Sequence, residues 1–226
     1  MKSDSFKKSV FYIFTVLIAT LSQSVFAVSV DLRGEYETWK SGLGGTSKAF
    51  LAGVGATQKL NKQFAIGGGF VMGNYGTDSI ADKDVKRLDI DITLSYRYKP
   101  FVTLFLGYQN IRLNVDNETD ATRSFDDVAH GLGAGVASYL PLSKNWFLQG
   151  GFGVDSLYAT SEMPSVTESG FGYSASVNGG VLYSITKKMT LGLGLKSRYS
   201  AVNYSGDEGK WSHNATRILL SLSHEI

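Results

Sequence analysis

Strict alternation of apolar and polar residues is the feature that most constrains the fold of this chain. From Arg87 to Tyr98, six apolar or aromatic residues alternate with six polar or charged ones without a break. The last fifteen residues, Ser212 to Ile226, place Ile218 and Leu220 on one face and Arg217 on the other. Because successive side chains of a strand point to opposite faces, this period of two predicts β-strands with one apolar face.

The N-terminus has the pattern of a cleavable secretory signal peptide. Lys2, Lys7 and Lys8 precede an apolar core from Val10 to Leu21, and the predicted cleavage site Val25-Phe26-Ala27 follows. That core of about a dozen residues is shorter than the roughly twenty that a membrane-spanning helix needs. We expect residues 1–27 to be removed and residues 28–226 to form one domain; an uncleaved anchor is the weaker alternative.

Composition favours a chain of many strands and turns. It contains 26 glycines, 12 tyrosines and 13 phenylalanines but only three prolines, and no other apolar stretch is as long as the signal core. The absence of cysteine excludes disulfides and thiol chemistry. Without the signal the chain has 19 basic and 19 acidic residues, so nothing suggests binding to nucleic acid. A soluble periplasmic β-sandwich is the alternative fold.

The alternation predicts an all-β domain, a single closed antiparallel transmembrane β-barrel of ten strands, with eight or twelve as alternatives if one hairpin is misread. Each strand has about the ten residues that a tilted membrane strand requires. The predicted strands are Val28–Lys40, Lys48–Thr57, Phe64–Asn74, Arg87–Tyr98, Phe101–Leu113, Val128–Leu140, Trp146–Ala159, Phe171–Ile185, Met189–Tyr204 and Ser212–Ile226. Phe101–Leu113 fits least well, because Phe105 then faces inward and Arg112 outward.

The predicted connections alternate in length and charge, which orients the barrel. Those after the even-numbered strands are tight and contain lysines, whereas most after the odd-numbered strands are longer and acidic. Short turns face the periplasm and long loops the exterior in such barrels. The longest predicted loops are Gly76 to Lys86, Asn114 to Asp127 and Thr160 to Gly170. The acidic residues of the second are Asp116, Glu118, Asp120, Asp126 and Asp127.

Those charges have two interpretations. In the first, the charged residues simply lie in solvated turns. In the second, the lysines contact anionic headgroups while the acidic loops bind divalent cations among surface glycolipids. Aromatic residues gather near both ends of the predicted strands, as expected of belts at two membrane interfaces. A soluble sandwich would instead bury its aromatic residues.

The glycine-aromatic strand segments "FAIGGGF" and "WFLQGGFGV", together with this architecture, resemble the small outer-membrane β-barrel proteins of Gram-negative bacteria, which include outer-membrane proteins X and W. The resemblance covers residues 28–226. It implies location in the bacterial outer membrane, contact with lipid and lipopolysaccharide, and insertion by the barrel-assembly machinery. Most such barrels end in phenylalanine or tryptophan, whereas this chain ends in Ile226.

The inward faces of these strands carry six acids and six bases. Charges in a narrow lumen are costly unless paired, so equal numbers predict an ion-pair network that fills the barrel. Closure places the first strand beside the tenth, which brings Glu35 or Glu37 near Arg217. The full set is Asp31, Arg33, Glu35, Glu37, Arg87, Asp89, Asp91, Arg97, Asp155, Lys196, Arg198 and Arg217.

Inward glycines, such as Gly55 and Gly133, are concentrated toward the periplasmic halves of the strands. They either let a small barrel curve and make room for long charged side chains opposite, or leave a solvent-filled lower cavity. No G-x-G pair is a nucleotide site, because no helix follows it.

The candidate catalytic residues match no complete motif. Asp89 and Asp91 evoke the paired acids of omptin proteases, but the Asp-x-His element of that family has no match. The histidines at 130, 213 and 224 are too scattered for a metal site, and neither His130 nor His213 lies in a recognisable lipid-hydrolase motif. We therefore expect no enzyme activity, cofactor or metal.

The leading expectation is a monomeric, non-enzymatic outer-membrane barrel with a filled lumen and acidic surface loops for envelope structure or partner contact. The alternative is a narrow porin or small-solute channel, and a lipid or peptide hydrolase is a remote third.

Overall fold

In this computed structural model, residues 28–41, 46–76, 83–117, 124–205 and 210–226 are described. They form ten β-strands and no helix long and apolar enough to span a bilayer. The predicted signal peptide, residues 1–27, lies outside them. The strands are β1 (Val28–Ser41), β2 (Thr46–Lys59), β3 (Phe64–Gly76), β4 (Lys83–Lys99), β5 (Val102–Asn117), β6 (Phe125–Pro141), β7 (Trp146–Glu162), β8 (Thr167–Ser184), β9 (Met189–Tyr204) and β10 (Lys210–Glu225).

The strands close into one antiparallel barrel, as the sequence predicts. Each strand pairs with its neighbours in the chain, and β1 pairs with β10 from Ser29 opposite Glu225 to Ser41 opposite His213. Closure leaves no edge strand with unpaired backbone groups, which is the condition for a sheet in hydrocarbon. The prediction of ten strands is confirmed, including β5 with Phe105 inward and Arg112 outward.

The outward face of the barrel is apolar over its middle. Leu106, Leu132 and Leu195 expose 62%, 68% and 59% of their surface, and large apolar side chains are exposed on every strand. Apolar exposure around a whole cylinder is unlike the small patches of water-soluble monomers and fits contact with hydrocarbon.

Aromatic pairs border this apolar band. At one end the rings of Trp146 and Tyr183 lie 4.8 Å apart, and those of Phe64 and Tyr96 lie 5.0 Å apart. At the other end, outward rings form a chain from β5 to β8 that consists of Tyr108, His130, Tyr158 and Phe171. This arrangement matches the predicted belts, since amphipathic rings favour the two membrane interfaces.

The two ends of the barrel differ in their connections. The turn end has the connections 60–63, 100–101, 142–145 and 185–188 and also holds Val28 and Ile226; the loop end is opposite. The predicted bounds of the long loops are wrong, because the strands continue into them. Residues 83–86, 114–117, 125–127, 160–162 and 167–170 belong to strands.

Strand length explains the difference. The strands have 13 to 18 residues, and at about 3.3 Å per residue and a tilt of about 40° they rise roughly 33–46 Å, beyond an apolar band of about 25 Å. The hydrogen bonds between strands are made by the backbone, so the ladder continues through polar residues as well as through apolar ones. On β5 the outward face changes from Leu106 and Tyr108 to Asn110 and Arg112, so the barrel extends past the band at the loop end.

Candidate functional site

A buried group of charged side chains occupies the middle of the lumen. Glu37 is at its centre, with no solvent exposure. Its Oε1 accepts hydrogen bonds from Arg87 Nη1 at 2.6 Å and from the Tyr75 hydroxyl at 2.7 Å, while its Oε2 forms an ion pair with Arg217. Two cations and a phenol thus compensate one fully buried carboxylate.

Arg217 connects this group across the barrel. Its Nη1 donates to Glu35 at 2.8 Å and its Nη2 donates to Asp89 at 2.8 Å, and Asp89 also accepts two hydrogen bonds from Arg87. We call Glu35, Glu37, Tyr75, Arg87, Asp89 and Arg217 the lumen cluster. Arg217 lies on β10 and Asp89 on β4, which are four positions apart around the ten strands. No two strands are more than five positions apart, so this bond runs across the lumen.

A second bridge crosses the lumen from β5 to β9. Arg198 Nη2 donates a hydrogen bond to Gln109 Oε1, and the same nitrogen is 4.0 Å from Asp155 on β7. The hydroxyl of Ser174 donates to Asp155 at 2.6 Å. Since β5 and β9 are also four positions apart, this bridge crosses the lumen beside the Arg217–Asp89 bond.

Arg33 forms a third group nearer the turn end. It pairs with Asp31 on its own strand, and its Nη1 lies 3.1 Å from Asp91 on β4. Two inward glycines make room for it, because a Cβ at Gly55 or Gly69 would overlap the guanidinium. Gly133 in the same way faces the Asp155 carboxylate. Missing side chains therefore accommodate long charged ones opposite, which is one of the two roles expected for these glycines.

Two of the twelve predicted lumen residues form no salt bridge within the described parts of the chain. Arg97 lies at the turn end beside an irregularity in the β4–β5 ladder and is exposed, because the strand has left the lumen there. Lys196 faces the lumen, but its neighbours Arg198 and Arg217 are also cationic. The other ten residues all form ion pairs. Thus the structure does not bring all twelve into one network.

The predicted acidic loop is not a loop cluster. Asp116 is outward and exposed on β5, Asp126 is outward on β6 and pairs with Arg112, and Asp127 points into the lumen. Glu118 and Asp120 lie outside the described residues. The strands extend far enough to put consecutive residues Asp126 and Asp127 on opposite faces, which separates their carboxylates.

A polar cavity lies on the turn-end side of the Arg198–Gln109 bridge. We call it the turn-end cavity; its volume is about 250 Å³. Arg33, Asp91 and Lys196 line it together with glycines of β5, β6 and β7. The lumen is therefore not completely filled by side chains, and the second role expected for the glycines, leaving a lower cavity, is also present.

An apolar cavity lies on the other side of the same bridge. This loop-end cavity has a volume of about 140 Å³. Ile111, Leu113 and Val115 supply its wall from β5, with Leu157 and Val202 facing them. Sequence reasoning missed this site. Its signal was the inverted alternation of β5, where outward Asn110, Arg112 and Asn114 alternate with inward apolar residues.

The three histidines lie apart from one another. His130 is outward, with its ring 5.5 Å from that of Tyr158. His213 is inward at the loop end of β10, and His224 is at the turn end. Within the described ranges, no three histidine or acidic side chains are placed to hold a metal ion.

Comparison with known proteins identifies the fold. No protein-family model and no curated protein sequence matches the chain. The outer membrane protease OmpT from Escherichia coli superposes with a TM-score of 0.57 at 12% identity, over 89% of this chain and 96% of that one. Neisserial surface protein A gives 0.48 at 13% identity, over 90% and 98%. Ail of Yersinia pestis gives 0.39 at 12% identity, over 89% and 99%. The superposition on the outer membrane protease shows that this chain shares the β-barrel fold of that protein.

Proposed function

We propose that this protein is a non-enzymatic and non-conducting barrel of the bacterial outer membrane, anchored there as a monomer with its loop end at the cell surface. The observation that carries the proposal is the pair of cross-lumen bridges, Arg217–Asp89 and Arg198–Gln109. Together they connect β10 to β4 and β9 to β5. Both bridges lie across the path that an ion would take through the barrel, and they support a lumen closed to ions.

Energetics favour a closed lumen. Removal of one partner from a buried ion pair costs about 3–5 kcal/mol, since the other charge is left without compensation. The lumen cluster has three acids and two arginines in mutual contact, and its central Glu37 has no solvent exposure. Thermal opening of such a group is rare, so the resting barrel excludes ions.

Placement in the outer membrane rests on the outward surface. An apolar band bordered by aromatic rings suits lipid, and the polar strand ends beyond it suit the lipopolysaccharide surface. Exposed charges there include Asp116 and the Arg112–Asp126 pair, which has 45% and 21% of its side-chain surfaces exposed. These charged strand ends are the surface we propose for contact with glycolipid or a partner. Insertion would depend on the barrel-assembly machinery, as for other chains of this fold.

Planar-bilayer recording of the refolded protein tests the closed lumen. We expect the wild type to show no steady unitary conductance. In the double variant Gln109→Ala/Arg198→Ala, the turn-end and loop-end cavities should join, and steady ion steps should appear. The matched control is Arg112→Ala/Asp126→Ala, which removes a polar pair from the outward face of the same region and should stay silent.

Each result bears on the proposal. Steady unitary steps from the wild type would overturn the closed lumen and favour the alternative of a narrow channel, which the polar turn-end cavity supports. A silent Gln109→Ala/Arg198→Ala variant that is folded would show that this bridge is not the block. Release of a lipid or peptide product by the wild type, abolished by His213→Ala, would overturn the non-enzymatic assignment.

A further inference from the structure

The walls of the loop-end cavity are unusually apolar for the lumen of a membrane barrel. Lumen-facing residues of such barrels are mostly polar. Here Ile111, Leu113 and Val115 occupy three successive inward positions of β5, and Phe125, Leu157 and Val202 face the same space. The outward residues between them on β5 are polar, so the apolar side chains are directed inward where they meet no lipid.

The size of the cavity limits what it can hold. Its volume is about 140 Å³. An apolar protein cavity of about 150 Å³ stays free of water and binds benzene. This volume suits a single six-membered ring better than a fused pair of rings.

Ser200 contributes a buried hydroxyl to the wall. Ser200 is 2% exposed and lines the cavity, and its Oγ forms no hydrogen bond within the described parts of the chain. Burial of a hydroxyl without a hydrogen bond costs free energy, so a ligand that hydrogen-bonds to it should bind more tightly. Arg87 also reaches this cavity, but Glu37 and Asp89 already pair with its guanidinium. That pairing offsets the positive charge of Arg87, and the carboxylate of Asp127, which lines the same cavity together with His213, disfavours an anionic ligand.

We propose that the loop-end cavity binds one small, neutral, mostly apolar molecule of single-ring size, whose one hydrogen-bonding group contacts Ser200. The proposal does not depend on the closed lumen, because the cavity lies entirely on the loop-end side of the Arg198–Gln109 bridge. A barrel that conducts ions could still bind such a ligand, and a silent one could fail to bind it.

The probe is 4-bromophenol, which is neutral at pH 7. Calorimetric titration of the full refolded chain in detergent should show saturable binding to the wild type. Ala159→Leu places extra carbons in the cavity, where Ala159 is 3% exposed, and should weaken binding at least tenfold. Ser200→Ala removes one hydrogen bond and should weaken binding about fivefold. Ala134→Leu makes the same alanine change on the lipid-facing side of β6 and controls for uptake by the micelle.

Several results would overturn the proposal. One is heat from the wild type that equals that of Ala159→Leu, which would reflect the micelle alone. Another is a bromine anomalous peak in co-crystals that lies away from Ser200. Equal affinity for 6-bromo-2-naphthol would refute the single-ring limit, and unchanged affinity in Ser200→Ala would refute the hydrogen bond. Should Ala159→Leu fail to fold, Ala129→Val fills the same cavity with a smaller change.

Discussion

Replacement of Arg217 by methionine tests whether the lumen cluster stabilises the barrel. Methionine has a similar length and no charge, so the change removes the guanidinium with little loss of volume. Arg217 contacts Glu35, Glu37 and Asp89 and exposes only 7% of its side chain. Glu37 and Asp89 keep Arg87 as a partner, whereas Glu35 loses the one salt bridge that it forms within the described ranges.

The expected cost follows from that burial. Loss of one partner from a buried pair destabilises a protein by about 3–5 kcal/mol. The matched control is Arg112→Met, which breaks the exposed Arg112–Asp126 pair on the outward face. An exposed pair contributes only about 0–1 kcal/mol. Arg217→Lys keeps the charge but loses the planar fork that contacts several carboxylates at once, and its cost should lie between these two values.

Urea unfolding of protein folded into phospholipid vesicles, followed by tryptophan fluorescence, measures these free energies. The double variant Arg217→Met/Glu35→Gln should recover part of the loss, because the uncompensated carboxylate is gone. An Arg217→Met protein within about 1 kcal/mol of the wild type would refute the reasoning. If that variant does not fold, the order of Arg217→Lys and Arg112→Met still decides the matter, since equal stabilities would contradict it.

Two further pairs of variants, each a change and its matched control, test the outward and inward faces. Leu195→Arg, in the apolar band of β9, should cost about 2–4 kcal/mol in the same vesicle assay, whereas Asn203→Arg at the loop end of that strand should cost about 0–1 kcal/mol; equal costs would contradict the placement of the band. Gly135→Ala should cost about 1–3 kcal/mol, because the added Cβ would overlap the Phe105 ring. Gly34→Ala, whose Cβ would meet Phe50 at 3.7 Å, should cost less, and the reverse order would contradict the inward packing.

Much of the barrel could be predicted from short stretches of the sequence. Side-chain direction alternates along any strand, so Arg87 to Tyr98 reveals both its faces without knowledge of its neighbours. Antiparallel order then places β1 beside β10, and the paired register sets Glu37 opposite Arg217. The lengths of the strands were harder to predict. Polar residues such as Asp126 lie beyond the apolar membrane segment, but the strand and its backbone hydrogen bonds continue through them.

The sequence by itself predicted ten strands, with eight or twelve left open, their closed order and most of the inward side chains, because each depends on a period of two and on short connections. Only the tertiary structure decided which inward side chains meet. Arg198 reaches Gln109, 89 residues away, because strand tilt and the narrow cylinder bring β9 near β5 across the lumen. The apolar cavity beyond that bridge has the same origin, since side chains from strands on opposite sides of the barrel, such as β5 and β9, form its walls.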